Sequence, residues 1–486
     1  MKARSSRQKF FSKCTAVLSI AAIVAACGGG GYSGTQDPIA GIDAGGAPTR
    51  FIAIGPISGF GSIIVNGVRY DTSQAQIFVD GAAGTEADLT VGQIVAVSGS
   101  ISGNSRTADR VEFDENVEGP IESIDLANNS MVVLGQTVIV TAATSFDDGI
   151  SPDSLQGLVP GDVVEISGNL DSNGNILASR IQRKAPGGLF EVTGIVSSHN
   201  GASATFMIND LLVDYGSAVL LDFGSGQPAD GDLVEAEGSQ LGASGELIAS
   251  KVEFKGNDFD DRIDNDTEIE IEGLITRFVS STDFDVADFA VTTNSQTEYG
   301  GGTVADLGLN VRIEVHGRRD SQGRILAREI EFEDVGDIEI HAIVDSVDAA
   351  NSRLIMLSIV VELSSDTRME DKAGSNPLRS FSISDINPGD WLEIRGTESA
   401  TGGVAATRAE RDDPRSESRI RGFATNVIDP SFQILGLDID TDASTQFRNI
   451  TRADFFATAD GRLVQADGSL NGGRFLATEV EFEPVN

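Results

Sequence analysis

The side chains that could do chemistry are few and widely spaced. His199, His316 and His341 are the three histidines of a 486-residue chain. A zinc site needs convergent nitrogen or sulfur ligands, and a Ser-His-Asp arrangement needs a base oriented beside its nucleophile. These histidines fall in different segments with no cysteine nearby, so they read as solvent-facing polar residues. Glu165, Glu235, Glu314 and Glu393 recur at one position of a repeated pattern. A glycosidase works with two carboxylates at a defined separation in one cleft. One glutamate per unit does not supply that pair, and solvated strand faces are the expectation. Trp391, the lone tryptophan, shares that face; it could stack on a sugar ring, but packing against a neighbouring unit is expected. No catalytic residue is assigned, and the sequence names no ligand-binding residue.

Asp258, Asp260, Asp264 and Asp266 stand in the acidic run GNDFDDRIDNDTE, an oxygen-rich spacing of the kind calcium prefers. The run lacks the turn glycine and closing bidentate glutamate of an EF-hand loop, because Glu268 comes too early. A solvated linker is the expectation there, with calcium the alternative, and no other cofactor is implied. The formal net charge of −39 repels phosphates and argues against nucleic acid as a partner. The glycines after Cys27 do not lie between a strand and a long helix, so they form no nucleotide cradle.

The first 26 residues read as a signal peptide. Lys2, Arg4, Arg7, Lys9 and Lys13 precede an apolar run too short to remain as a membrane-spanning helix. Removing those five positive charges takes the formal charge from −39 to −44. The run ends Val24-Ala25-Ala26-Cys27-Gly28, which resembles the lipobox of bacterial lipoproteins. That resemblance implies an acylated Cys27 as first residue of the mature chain, carrying palmitate-type chains that anchor it to a membrane. With Gly28 after the cysteine, it further implies the outer membrane. Cys14, the other cysteine, lies in the removed segment, leaving no disulfide. Residues 27–50 follow as a glycine-rich tether too poor in apolar residues to build a core.

These residues must be positioned by a repeated unit, clearest in VPGDVVEISGNLDSNGNILASRIQ, residues 159–182. Pro160-Gly161-Asp162 is turn chemistry. Val164, Ile166 and Gly168 then alternate with Val163, Glu165 and Ser167 as the two faces of a strand. The segment DSNGN makes a hairpin, and Ile176 opens the returning strand. The closing glycines recur at 99, 168, 238, 317, 396 and 468, in steps of 69, 70, 79, 79 and 72 residues. The polar pair after the alanine of each returning strand reads as a β-bulge. The resulting division is repeat one 51–115, repeat two 116–184, repeat three 189–255, an acidic linker 256–268, repeat four 269–334, repeat five 335–409, a charged linker 410–418 and repeat six 419–486.

Each unit opens with a strand such as VEGPIESID, adds a second such as SMVVLGQTVIV, and inserts a short helical or turn segment before the Gly-Asp turn. About five strands per unit predict an all-β chain, a tandem array of six small five-stranded barrels, OB-like or SH3-like. The pattern Gly-Ile/Val-x-Ser, a helical turn, V-G-D-x-V-E-V-x-G and L-x-A-x-x-V-E resembles a domain-of-unknown-function family numbered 5666. The resemblance implies a small β-barrel in an exported protein and lends no catalytic residues. The expectation is therefore a non-enzymatic binding, display or spacer protein of the cell envelope, periplasmic or surface-exposed. Its partners would be the membrane, through the lipid anchor, and an envelope protein or polysaccharide. A carbohydrate-binding or adhesive module is the alternative, and an enzyme comes third.

Overall fold

The computed structural model describes residues 49–224, 226–255, 267–333 and 336–483. The signal peptide, Cys27, all of the tether but its last two residues, and Asp258, Asp260, Asp264 and Asp266 lie outside the described residues.

Repeat two shows how each unit closes. Its five strands are Val117–Asp125, Ser130–Val133, Gln136–Ile139, Val163–Leu170 and Ile176–Lys184. Strand one pairs antiparallel with strand two, and two with three. Strand three runs parallel to strand five, five antiparallel to four, and four antiparallel to one. The ring is complete, and the parallel contact of three with five is the OB arrangement rather than the SH3-like one. Between strands three and four lies one 3-10 turn, Leu155–Gly157. The hairpin before strand five is held by Asp171, whose Oδ1 accepts from Asn173 N at 2.8 Å and Asn175 N at 2.9 Å, with Gly174 at φ +80.

The other units repeat this ring. Repeats four, five and six each close through a parallel pairing of strands three and five. Repeat one closes there through the single bridge Asp71↔Thr107. Repeat three splits its fifth strand into Leu247–Ile248 and Lys251–Phe254. The one α-helix among the described residues, Arg452–Thr458, replaces the 3-10 turn in repeat six and buries Phe455. No helix among them is long and apolar enough to cross a membrane.

The bulge expected in the returning strand is present. In repeat two Ser167 pairs with Arg180 but Gly168 pairs with Ala178, so Ser179 is the extra residue. Repeats one, four, five and six shift register at the same place.

The barrels are also joined, which a string of beads would not require. The first strand of repeat one, Thr49–Gly59, pairs parallel with that of repeat four, Glu268–Ser280. Those of repeats two and three pair antiparallel, as do those of five and six. Three two-barrel sheets result, and the pairing occupies first-strand edges that would otherwise be open. Barrel cores merge accordingly: Val117, Val164 and Ile181 of repeat two belong to one buried cluster with Val192, Phe206 and Val234 of repeat three. Residues 410–412 are not linker. They finish the fifth strand of repeat five, Val404–Asp412, and Glu410 is buried.

Candidate functional site

Strand four turns Val164, Ile166 and their counterparts into the barrel, so the alternating glutamates point outward. The sequence reading placed those glutamates in water. The structure corrects this: Glu165, Glu235, Glu314 and Glu393 are all buried, with Glu235 1 % and Glu393 3 % exposed. The reason is cationic partners on strands one, four and five, together with contact between barrels. Glu165 pairs with Lys184, and Glu235 with Lys251 at 2.9 Å and Lys255 at 2.5 Å.

His316 and His341 are likewise not solvent-facing. His341 Nε2 lies 2.7 Å from Glu339 Oε1 and 3.3 Å from Glu393 Oε2. Burial alone would drive its imidazolium down, but Glu393 and Glu339 outweigh burial and lift it to about 9. Burial works to raise the Glu393 carboxyl, and His341, Arg395 and Arg408 hold it well below the usual range. Arg395 Nε donates to Glu393 Oε1 at 2.8 Å and Arg408 Nη2 at 2.7 Å. His199 is half-buried, its Nε2 2.6 Å from the Tyr215 hydroxyl. Trp391 is buried, in line with packing rather than sugar stacking.

Repeat four carries the counterpart with the opposite balance. His316 Nε2 is 2.7 Å from Glu314 Oε1, its Nδ1 is 3.7 Å from Glu270 Oε2, and the Tyr70 hydroxyl of repeat one donates to Glu270 Oε1 at 3.3 Å. Here burial dominates and pushes Glu314 up to about 8 despite His316. Burial opposes the charge on His316, yet Glu314 and Glu270 raise it to about 9.

Beside this pair is a cavity of about 200 Å³, lined among others by Asn66 of repeat one, Ala143 of repeat two, Glu272 and Arg312 of repeat four, and Arg368 and Arg408 of repeat five. Its charges are largely committed. Arg312 Nη1 donates to Glu272 at 3.0 Å, and Arg368 Nη1 donates to the Ala143 carbonyl at 2.9 Å. Arg408 donates to the Thr144 carbonyl, Lys372 to that of Phe146 at 2.9 Å, and Arg379 to that of Leu89 at 2.9 Å. Four cations of repeat five thus clasp main-chain oxygens of repeats one and two. Charge-assisted bonds of this kind are about twice as strong as neutral ones. What the arrangement does best is hold barrels to one another.

Sequence reasoning missed these partners. Glu268, Glu270 and Glu272 alternate along the first strand of repeat four and pair in register with Arg318, His316 and Glu314. That spacing was a readable signal, because strands one and four are neighbours in this barrel and parity puts the two sets on one face.

Six stretches of the chain, residues 53–112, 118–182, 193–253, 272–331, 341–410 and 421–481, match the family described as Domain of unknown function (DUF5666). The chain belongs to this family. A comparison with curated proteins finds no match. Each DUF5666 match begins within or next to a first strand and ends within the fifth, so it takes in nearly one closed barrel. The segment that makes repeat five longest, residues 364–381, carries Arg368, Lys372 and Arg379, three of the four clasping cations.

Proposed function

We propose that this DUF5666 protein is a non-enzymatic binding and display protein of the cell envelope. An acyl anchor on Cys27 holds it to the outer membrane, and the joined barrels present one continuous surface to an envelope protein or polysaccharide. The observation that carries this reading is how the chemistry-bearing side chains are used. Arg368, Arg408, Lys372 and Arg379 end on carbonyls of neighbouring repeats, and Glu393 is shared by His341, Arg395 and Arg408. Groups engaged in this way are unavailable to activate a nucleophile or a leaving group. Since the barrels are joined through their first strands, partner binding should be a property of the assembled body rather than of any one repeat.

The test uses the full chain in its native envelope. Wild type should fractionate with membranes as a mature lipoprotein, and in-cell crosslinking should capture a recurrent envelope partner. Cys27→Ser should remain unprocessed or leave the membrane fraction. A Cys27→Ser chain that still behaves as a mature lipoprotein would overturn the anchor. Turnover of a glycan or peptide that Glu314→Gln abolishes would overturn the non-enzymatic reading.

A further inference from the structure

Among the described residues, four groups of three acidic or histidine side chains bring a ligand atom each to within 4.8 Å of one another. Three of these groups contain or touch their own cation. Glu270, Glu314 and His316 include an imidazolium. Asp153, Glu393 and Glu410 meet Arg415, Arg408 and Lys372. Glu191, Glu235 and Glu237 meet Lys251 and Lys255 through the last two.

The fourth group, Asp80, Glu115 and Glu191, is different. Among the described residues none of its members forms an ion pair. Lys255, the cation that most moderates Glu191, is engaged by Asp114 at 3.3 Å and by Glu235. Glu115 is 3 % exposed and Glu191 5 %. Each of the three keeps a buried carboxylate oxygen that no N–H or hydroxyl group reaches, Asp80 Oδ1, Glu115 Oε2 and Glu191 Oε1, and Glu115 and Asp80 are close enough to share a proton when no cation is bound. Burying one unpaired carboxylate is costly, and burying three together demands a counter-charge or protons.

The three come from separate parts of the fold. Asp80 sits at φ +50 in the turn after the strand Gln76–Val79 of repeat one, its N–H donating to the Phe113 carbonyl at 3.0 Å. Glu115 is in the connector between repeats one and two, where the next residue, Asn116, donates its N–H to the Ile166 carbonyl at 2.9 Å. Glu191 is on the first strand of repeat three, Phe190–Asn200, in register with Glu118.

We propose that Asp80, Glu115 and Glu191 bind one calcium ion, which staples repeat one, the one–two connector and repeat three together. The donor set is all oxygen, which selects a hard cation over zinc or copper. Calcium accepts six to eight oxygens at roughly 2.3–2.6 Å, so one ion can bridge oxygens within 4.8 Å of one another. Three carboxylates, each able to bind through both oxygens, approach that number with little water. Magnesium, which holds a tight octahedron and keeps its waters, suits such a buried set less well. Without a cation the site must hold protons instead: burial and the Asp80 carboxyl push Glu115 up to about 12, and burial and Glu235 push Glu191 up to about 9.

Isothermal titration of the full chain in detergent, stripped with EDTA, tests this with calcium chloride and magnesium chloride as probes. The expected result is one calcium per chain and a raised thermal midpoint. Glu115→Gln and Glu191→Gln should each weaken binding by about tenfold or more. A chain carrying Asp258→Asn, Asp260→Asn, Asp264→Asn and Asp266→Asn should still bind. If Glu115→Gln fails to fold, Asp80→Asn, at a partly exposed residue, carries the same expectation. Absence of binding at about 1 mM calcium, or binding that survives the glutamine variants, would overturn the site. An equal response to magnesium would overturn the assignment to calcium.

Discussion

Glu393 and Glu314 occupy the same position of the repeat, and the structure predicts opposite outcomes when each becomes glutamine. Glu393 is ionised and touches three cations, the buried His341, the half-buried Arg395 and the buried Arg408, at 3.3, 2.8 and 2.7 Å. Removing one partner from such a cluster typically costs about 3–5 kcal/mol, because the remaining charges stay buried. Each cation keeps a second carboxylate: Glu339 lies 2.7 Å from His341 and 3.2 Å from Arg395, and Glu410 lies 3.4 Å from Arg408. That places Glu393→Gln at the lower end, about 3 kcal/mol. Glu314, raised to about 8, is already largely neutral at pH 7. Glutamine there replaces a neutral acid of the same shape and should cost no more than about 1 kcal/mol. Urea unfolding followed by circular dichroism reads both variants, and Trp391, buried two residues from Glu393, adds a local fluorescence signal for repeat five. The raised Glu314 carboxyl is worth most below its unfolded value near 4.5 and loses that contribution as pH rises through about 8. Glu314→Gln should therefore gain on wild type progressively between about pH 4.5 and 8, and no further above it. Equal losses for the two variants at pH 7, or a Glu393→Gln loss under about 1 kcal/mol, would refute the electrostatic reasoning.

His341 adds a pH dependence to repeat five. Its folded value of about 9 exceeds its unfolded 6.5, so its contribution, up to about 3 kcal/mol, is complete below pH 6.5 and lost as pH rises toward 9. His341→Gln should flatten that decline in urea titrations across this range. Val164→Asp places an unpaired charge at a fully buried core position of repeat two. It should unfold that barrel, seen as lost β signal and protease sensitivity. Gly396→Ala would set a methyl 2.0 Å from the Ala405 carbonyl oxygen and should cost about 1–3 kcal/mol, whereas Gly308→Ala, with open space around it, should leave the unfolding midpoint unchanged.

What could be read from the sequence was local. Val164, Ile166 and Gly168 declare a strand because period-two alternation needs no knowledge of the rest of the molecule. Asp171 to Asn175 declare a hairpin for the same reason, and the polar pair Ser179-Arg180 marks the bulge. The seam was hidden because alternation tells which way Glu393 points but not what lies there. An outward glutamate reads identically whether it meets water or Arg408. The clasp from Arg368 to the Ala143 carbonyl spans 225 positions, and the strand partner of repeat one is repeat four. No period in the chain encodes either. The one clue was composition: Glu270 and Glu272, or Glu339 beside His341, put titratable groups on first strands at the parity that strand-four glutamates share.

The closing glycines explain why one frame survives six times while the faces around it diverge. At 99, 168, 238, 317, 396 and 468 a methyl group would come within 2.0–2.5 Å of a carbonyl oxygen on the returning strand. In every repeat but the third the glycine also sits at the register shift. The bulge presses the two backbones together there, so the residue is fixed by the barrel itself and not by anything outside it. The outward position three residues earlier answers to a different constraint. It is Ala96 in repeat one, Glu in repeats two to five, and Gln465 in repeat six, and its partners change from Lys184 to Lys251 and Lys255, then to His316, then to His341 with two arginines. A surface left to water would tolerate like residues in every copy. These partners lie in the glutamate's own barrel, so the divergence satisfies each buried charge locally. Neighbours are singled out by other contacts: Gln93 of repeat one donates to Glu165, Arg180 of repeat two pairs with Glu370 of repeat five, and Tyr70 of repeat one donates to Glu270 of repeat four. There, complementary buried charge penalises the wrong pairing more than it rewards the right one.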